Sequence, residues 1–416
     1  MGFVLVDSLE EGMVLAEDLF NEKGQFILAK GAILDSRHID ALKRFGVLEA
    51  DIVGTSQSEL DGGELDPSLM ESARAYQRER FRLCDLEHEG IKAVFELAVE
   101  KTARHLQAGW QPPEAVAEVE VPAGLDWSAK PSSESLVRGK VRMAALPDVY
   151  SKIVAAINTP NCAVEHLAEI VSKDSSISVR LLKLVNSAYY ALPKKINSIS
   201  RAITLLGTRE LLSLALGITI VRKFSNLNDE LVSMEVFWKH AIRTGLFAQQ
   251  IARRKGLKET ESFFVGGLLH DIGRLVMLVE MPEYYASALN DYYRNGEIAL
   301  YQAERQTLGY DHAQVGRLLC ERWHLPFNLA QMVGWHHKPQ GSRFALESCI
   351  IHLADFMAQA MGLEMPLPGR LPPLHPRAWE VVAPDLAMLA VSTQHVEHSF
   401  REIAGNFLGE EPRPAI

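Results

Sequence analysis

Residues 266–275 of the 416-residue chain read GGLLHDIGRL, and the adjacent His270 and Asp271 offer an imidazole nitrogen and a carboxylate to one point in space. Both are good ligands for borderline or hard divalent metals. A lone His-Asp pair on a helix carries little weight, because such pairs also serve as caps or satisfied core contacts. The weight grows because ligand types recur around it: His240 in FWKHAIRTG, His312 in YDHAQVGRLL, His336 and His337 in VGWHHKP, and Asp355 in IHLADFMAQ. Several sit among apolar neighbours (Phe237, Trp238, Leu268, Leu269, Trp335, Leu353), where an unpaired polar group is costly to bury. On the inward faces of a helix bundle such side chains assemble a mononuclear or dinuclear metal centre. In the dinuclear arrangement Asp271 bridges two ions, with His240, His270 and Asp355 completing one and His312, His336 and His337 the other. Two metals held close together suit phosphoester hydrolysis by a bridging hydroxide. A hydrogen-bonded polar network without metal needs the same buried residues, and the sequence leaves both readings open.

The elements that must position these groups are helical. Apolar residues recur at helical spacing in LAEIVSKD, VRLLKLVNSAYY, AITLLGTRELLSLALGITIV and FWKHAIRTGLFAQQIARR, which predicts an all-α domain over 135–360. Ahead of it, the short apolar runs FVLV, MVLA and FILAKGAIL and the helical stretch DSRHIDALKRFG predict a small mixed β/α module over 1–60. Residues 67–108, with Pro67 at a first helical position after Asp66, read as one long helix or a helical hairpin; it is a candidate arm for a homodimer and equally a candidate to pack on its own domain. The Pro/Gly/Ala-rich stretch 109–134 reads as a linker. Five prolines make 365–376 an extended connection, and 385–408 a last amphipathic helix. The expected fold class is mainly α, a helical bundle preceded by a small β-containing module and a helical segment.

With 43 Lys and Arg against 53 Asp and Glu, the net charge of −10 gives polyanions no bulk attraction, so nucleic acid is not an expected partner. A helix-turn-helix outline around 166–187 does not change this, since its second helix (VRLLKLVNSAYY) is too apolar for a DNA groove; Asn186 and Ser187 there read as local hydrogen-bonding residues that fix a bend. The four cysteines (Cys84, Cys162, Cys320, Cys349) show no CxxC spacing, and no run of eighteen uncharged apolar residues occurs. A cytoplasmic protein without membrane insertion is expected. His324, before Leu325 and Pro326, reads as a helix-end residue, and His352 as an ordinary partly buried histidine.

The order His240, His270-Asp271, His312, His336-His337, Asp355 resembles the HD superfamily of metal-dependent phosphohydrolases, and among them the HD-GYP branch of cyclic-di-GMP phosphodiesterases. Upstream, LPDVYSKIVAAIN (146–158) and AEIVSKDSSISVRLLKLVNSAYYALPKKINSISRAITLLG (168–207) narrow the resemblance to the HDOD domain, the HD-related output domain of bacterial signalling proteins. Leu146, Pro147, Asp174, the run ending at Asn186, Ser187 and Ala188, and Gly207 carry it, over roughly 136–356. The segment EEGMVLAEDLFNEKGQFILAKGAIL is similar, more loosely, to a module found ahead of HD-GYP and related domains. Two departures bear on mechanism. Arg274 stands where HD-GYP proteins have Lys, and Lys338-Pro339 follow His337 where they have Glu, with no Gly-Tyr-Pro downstream. The resemblance implies a regulatory module that relays a signal through a signalling protein or a nucleotide, with one or two divalent ions (Fe, Mn or Mg) and no organic cofactor. The alternatives are a cyclic-dinucleotide phosphodiesterase-like hydrolase, in which His270 and Asp271 are catalytic, and, further off, a DNA-binding regulator. Arg274 and Lys338 are the candidate phosphate contacts.

Overall fold

The computed structural model describes residues 2–6, 9–20, 26–44, 47, 49–53, 65–113, 119–138, 148–157, 159, 164–190, 195–225, 231–364 and 369–408. Leu146 and Pro147, two of the residues that carry the resemblance, lie outside them. The N-terminal module holds β1 (Gly2–Leu5), β2 (Leu19–Phe20), β3 (Phe26–Leu28), α1 (Ser36–Arg44) and β4 (Glu49–Ile52). β1 pairs antiparallel with β4, Gly2 opposite Ile52 and Leu5 opposite Glu49, and β2 pairs antiparallel with β3. Alternation along the strands turns Val4, Ala50 and Ile52 inward, where they join Leu15, Leu34 and Leu42 in a small core of their own.

The helical body begins at α2 (Pro67–Arg80). Asp66 Oδ1 accepts the Ser68 amide at 2.8 Å, and Pro67 sits at the first helical position, where its missing N–H has no intrahelical partner to lose. The chain then reverses into α3 (Glu89–Gln107), so 67–108 is a hairpin and not one long helix. Phe81, Ile91, Val94, Phe95 and Val99 of this hairpin are buried in the chain's own core. Next come α4 (Ser133–Val137), α5 (Asp148–Ile157), α6 (Val164–Ser172), α7 (Ser175–Val185), α8 (Ile199–Leu206) and α9 (Thr208–Phe224). The bend after α7 is fixed by Asn186, whose Nδ2–H donates to Leu182 O (2.7 Å) and Ile196 O (2.8 Å) while its Oδ1 accepts the Ile196 amide (2.7 Å). Ile177, Leu181, Leu184 and Val185 of α7 are buried, so its apolar face serves the core.

The second half contains α10 (Met234–Arg254), α11 (Thr260–Leu269), α12 (Ile272–Glu280), α13 (Pro282–Arg294), α14 (Leu300–Leu308), α15 (His312–Arg322), α16 (Phe327–Trp335), α17 (Ala345–Met361), α18 (Pro376–Val382) and α19 (Leu386–Leu408). α10 is the central strut, packed by α11, α17 and α19. One hydrophobic core runs from Ala73 to Phe407, so the composition break at 109–134 is not a break in packing. Tyr284 Oη, for example, donates to Asp126 O at 2.7 Å and ties that stretch to α13. Among the described residues one stretch, Thr260–Glu280, is long and apolar enough to cross a membrane; it is split between α11 and α12, and its most apolar part is 89% buried inside the protein.

Two backbone approaches set the spacing of the interior. A Cβ on Gly267 would lie 2.7 Å from Gly245 Cα, so α10 and α11 meet glycine on glycine. A Cβ on Gly273 would lie 2.0 Å from His312 O, so α12 and the start of α15 touch through their backbones. Each contact brings two segments that carry or adjoin expected ligand residues closer than any larger residue permits.

Candidate metal centre

The sequence suggests His270 and Asp271 within a helix, but the pair occupies the junction between two. His270 ends α11, and Asp271 (φ −96°, ψ 7°) sits at the cap of α12 without making a capping hydrogen bond. Leaving the helix lets adjacent residues aim at one centre, and the Asp271 carboxylate turns inward because its partners there are cationic. The second pair is built alike: α16 stops at Trp335, and His336 and His337 follow in the turn. His240 comes from the middle of α10, His312 from the first turn of α15, and Asp355 from α17. All seven expected ligand residues are brought together, each less than a tenth exposed.

Asp271 Oδ1 is the hub, 3.1 Å from His312 Nε2, 3.5 Å from His270 Nε2 and 3.9 Å from His336 Nε2. On one side, His240 Nε2 lies 3.2 Å from Asp355 Oδ1 and 3.3 Å from His270 Nε2, and the same Asp355 oxygen is 3.5 Å from His270 Nε2. On the other, His337 Nε2 lies 2.9 Å from His312 Nε2. His240, His270 and Asp355 form one set of convergent donor atoms, His312, His336 and His337 a second, and His270, Asp271 and His336 a third between them.

Three of the five histidines are anchored through Nδ1, which turns their Nε2 inward. A carbonyl can only accept, so His270 Nδ1–H donates to Gly267 O (2.6 Å) and His336 Nδ1–H to Val333 O (2.7 Å), each turning Nε2 toward the centre; burial disfavours a proton on His270, but Asp271 and Asp355 outweigh it and raise the ring above its ordinary value. His312 Nδ1 is held at 2.6 Å by Glu304 Oε2, which also accepts the His312 backbone N–H at 2.9 Å. Tyr285 Oη donates to the other oxygen of Glu304 at 3.2 Å. Gln359 Nε2 donates to both oxygens of Asp355, at 2.9 and 3.1 Å. The His337 ring stacks on Tyr301 with centroids 4.4 Å apart.

Burial alone pushes Asp271 toward its neutral form. His270, Arg274 and His312 outweigh that and hold its carboxyl well below the usual range. Asp355 is lowered likewise, against burial, by His240 and His270. His312 is pulled down by desolvation but pushed up, to about 10, by Glu304 and Asp271. His336 falls to about 3, through burial and the neighbouring His270 and His312. Asp271, Asp355 and Glu304 thus put three buried carboxylates beside one buried guanidinium, Arg274. Protons on histidine can balance that excess, and so can divalent cations.

The donor set fits a divalent ion, and orphaned atoms in it argue against a purely hydrogen-bonded network. His336 Nε2, His337 Nδ1 and His240 Nδ1 are buried without a hydrogen-bond partner. An unmet buried polar atom costs about 1–3 kcal/mol. His336 Nε2 is the telling case, because it faces the hub oxygen and has no other atom to serve.

Arg274 Nη1 donates to Asp271 Oδ2 at 2.8 Å, leaving Oδ1 alone facing the centre. Lys338 caps the short turn Pro339–Gly341 and is not among the residues that line the cavity at the centre, whereas Arg274 and Arg370 are. His352 stands behind the site: its Nδ1–H donates to His336 O (2.6 Å) and its Nε2 accepts the His375 amide (2.8 Å), so it positions His336. Burial lowers it to about 4. His324, at φ 55°, ends α15 in a left-handed turn. Glu304, Tyr285, Gln359 and Arg370 were not singled out from sequence. An acid in an otherwise amphipathic helix eight residues before His312 was the available signal for Glu304.

A helical body enclosing this order of histidines and aspartates defines an HD-type domain. Residues 143–339 match the HDOD domain family, and this part of the chain is an HDOD domain. An uncharacterized protein of Treponema pallidum (strain Nichols) is 29% identical over 193 residues, 46% of this chain; the chain spans only 37% of that relative's length. Among solved structures, an HDOD domain protein of unknown function from Geobacter sulfurreducens superposes with a TM-score of 0.51 at 20% identity, covering 78% of this chain and 98% of the other. A candidate phosphohydrolase from Shewanella amazonensis gives 0.51 at 21%, covering 63% and 94%. A candidate signal transduction protein from Marinobacter aquaeolei gives 0.50 at 19%, covering 63% and 59%. At these identities the likeness is one of fold. His352, Asp355, Gln359 and Arg370 lie beyond the matched segment and still belong to the site.

Proposed function

We propose that the HDOD domain of this chain holds one or two divalent cations of the Fe, Mn or Mg class through His240, His270, Asp271, His312, His336, His337 and Asp355. In a cytoplasmic bacterial signalling protein, such a centre binds a phosphate-bearing nucleotide and passes its occupancy to a protein partner. The observation that carries the reading is the buried, unpartnered His336 Nε2 among the six other converging ligand residues. A bound cation supplies Lewis acidity toward phosphate oxygens. This chain's residues do the rest: carbonyl-anchored His270 and His336 present Nε2, Glu304 and Gln359 orient His312 and Asp355, and Arg274 holds Asp271.

Hydrolysis of the ligand is the second reading, favoured by one observation: Asp271 Oδ1 stands between the two sets of donors, where a bridging ligand belongs. Arg274 limits it, since the other carboxylate oxygen is taken. Protein purified with Mn²⁺ or Fe²⁺ and offered a panel of phosphoesters, cyclic dinucleotides included, separates the two. Turnover abolished by His270→Ala with Asp271→Ala supports the hydrolase. Metal-dependent ligand binding without turnover supports the relay. Neither binding nor turnover, in protein that holds no metal, contradicts both.

A further inference from the structure

The cavity that opens onto the centre has a second cationic wall, contributed by the segment that follows the matched HDOD region. Arg274 and Arg370 both line it, beside Asp271, His312 and Asp355. Arg274 is 5% exposed; Nη1 is on Asp271, the Tyr285 hydroxyl interacts with the guanidinium, and Nε and Nη2 are buried without a close hydrogen bond. Arg370 Nε is likewise buried and unpartnered. Guanidinium N–H groups left dry and unmet are costly, and they are the groups that bind phosphate oxygens in forked geometry.

Arg370 is fixed before any ligand arrives. Its backbone N–H donates to Tyr292 Oη at 2.9 Å, and its Nη2 donates to Tyr292 O (2.6 Å) and Asn295 O (3.0 Å). A Cβ on the preceding Gly369 would lie 2.0 Å from Tyr292 Oη, so the strap 369–372 lies flush on α13. The Leu371 amide donates to Arg80 O at 2.8 Å, which ties the strap to the end of α2. A guanidinium held this way loses little freedom on binding.

The cavity is partly open and small, about 50 Å³. At about 10–15 Å³ per water it holds roughly three to five waters, whereas pockets that bury a drug-sized ligand are about 300–1,000 Å³. A tetrahedral oxyanion matches that space and two nucleobases do not.

We infer that Arg274 and Arg370 form a two-guanidinium pocket for a single phosphate group, and that the strap 369–372 restricts what enters the centre to one terminal phosphate, free or as the end group of a phosphomonoester such as a mononucleotide, excluding a cyclic dinucleotide. The inference rests on the proposed metal centre for the pocket's neighbour but not for its two cations.

The test is calorimetric titration of the full chain, metal-loaded and metal-free, with inorganic phosphate and with cyclic di-GMP, metal content being measured on the same samples. Wild type is expected to bind phosphate and to give no competing signal with cyclic di-GMP. Arg370→Gln is expected to weaken phosphate binding about 10- to 100-fold, the worth of one charge-assisted contact, with metal content unchanged. Arg370→Lys, which keeps the charge but loses the Nε–H and the Nη2 anchor on Tyr292 O and Asn295 O, recovers part of the loss and guards against a folding artefact. Phosphate affinity unchanged in folded Arg370→Gln, competition by cyclic di-GMP, or no phosphate binding by wild type in either form overturns the inference. Phosphate binding that depends on Arg370 in a protein that holds no metal upholds the pocket and fails the centre. Metal held with phosphate binding indifferent to Arg370 does the reverse.

Discussion

Replacing Glu304 by Gln changes one carboxylate oxygen into an amide and removes a charge that no solvent replaces, since the side chain is fully buried. Glu304 Oε2 accepts two hydrogen bonds from His312, at 2.6 Å from Nδ1 and 2.9 Å from the backbone N–H, while Oε1 accepts from Tyr285. Gln offers a single acceptor oxygen. Aimed at His312, it accepts with less strength; aimed at Tyr285, it turns an NH₂ toward two donors. In either case Nδ1–H is held less firmly, and with it the ring orientation that aims His312 Nε2 at Asp271 Oδ1, 3.1 Å away. The lost charge favoured proton and cation alike, so its removal largely cancels in their competition and orientation is what remains. Partners that orient a metal-bound histidine are worth about 10- to 100-fold in metal affinity, or about 1.4–2.8 kcal/mol. The assay is competition for Mn²⁺ or Co²⁺ against a chromophoric chelator, with circular dichroism to verify the fold. Metal affinity within twofold of wild type in folded Glu304→Gln would refute the reasoning.

Three further outcomes follow from particular contacts. His270→Ala removes a ligand shared by two of the three donor sets and should lower bound metal by at least one equivalent in elemental analysis while the helical spectrum is retained. Gly273→Ala places a methyl 2.0 Å from His312 O and 2.6 Å from Gly316 N, both backbone, so its cost belongs at the top of the about 1–3 kcal/mol range for overpacking; a denaturation midpoint equal to wild type would show that α12 and α15 are not in contact. At Glu397, burial raises the carboxyl but Arg243 and Lys101 lower it from 4.5 to about 2. A depressed acid stabilises the fold above its unfolded value and loses that stabilisation as pH falls from about 4.5 toward 2, here up to about 3 kcal/mol. Urea denaturation of Glu397→Gln should therefore show a flatter pH dependence across that window, and a slope identical to wild type would remove the ion cluster from the account.

The parts of the site readable in sequence were those with a type and a position in common. Histidines amid Phe237, Trp238, Leu268 and Leu269 announce burial, and their order identifies the family. The helical body was readable for a similar reason, because its apolar period is dense from Leu167 to Phe356. Residues whose role comes only from tertiary packing were not. Glu304 resembles any helical acid until α14 and α15 bring its carboxylate under His312. Arg370 lies among prolines, and nothing local shows that the strap returns over Tyr292. The hairpin of α2 and α3 was read as a separate segment because its charged faces hide how far Phe81, Val94 and Phe95 enter the common core.

The central claim is that the seven converging side chains hold divalent metal. Inductively coupled plasma mass spectrometry of the full chain, produced with Mn²⁺ and Fe²⁺ supplied and then desalted, tests it most directly. One or two equivalents of divalent cation per chain, falling in the His270→Ala variant, is the result the account predicts. Folded protein that retains essentially no metal, wild type and variant alike, would contradict it.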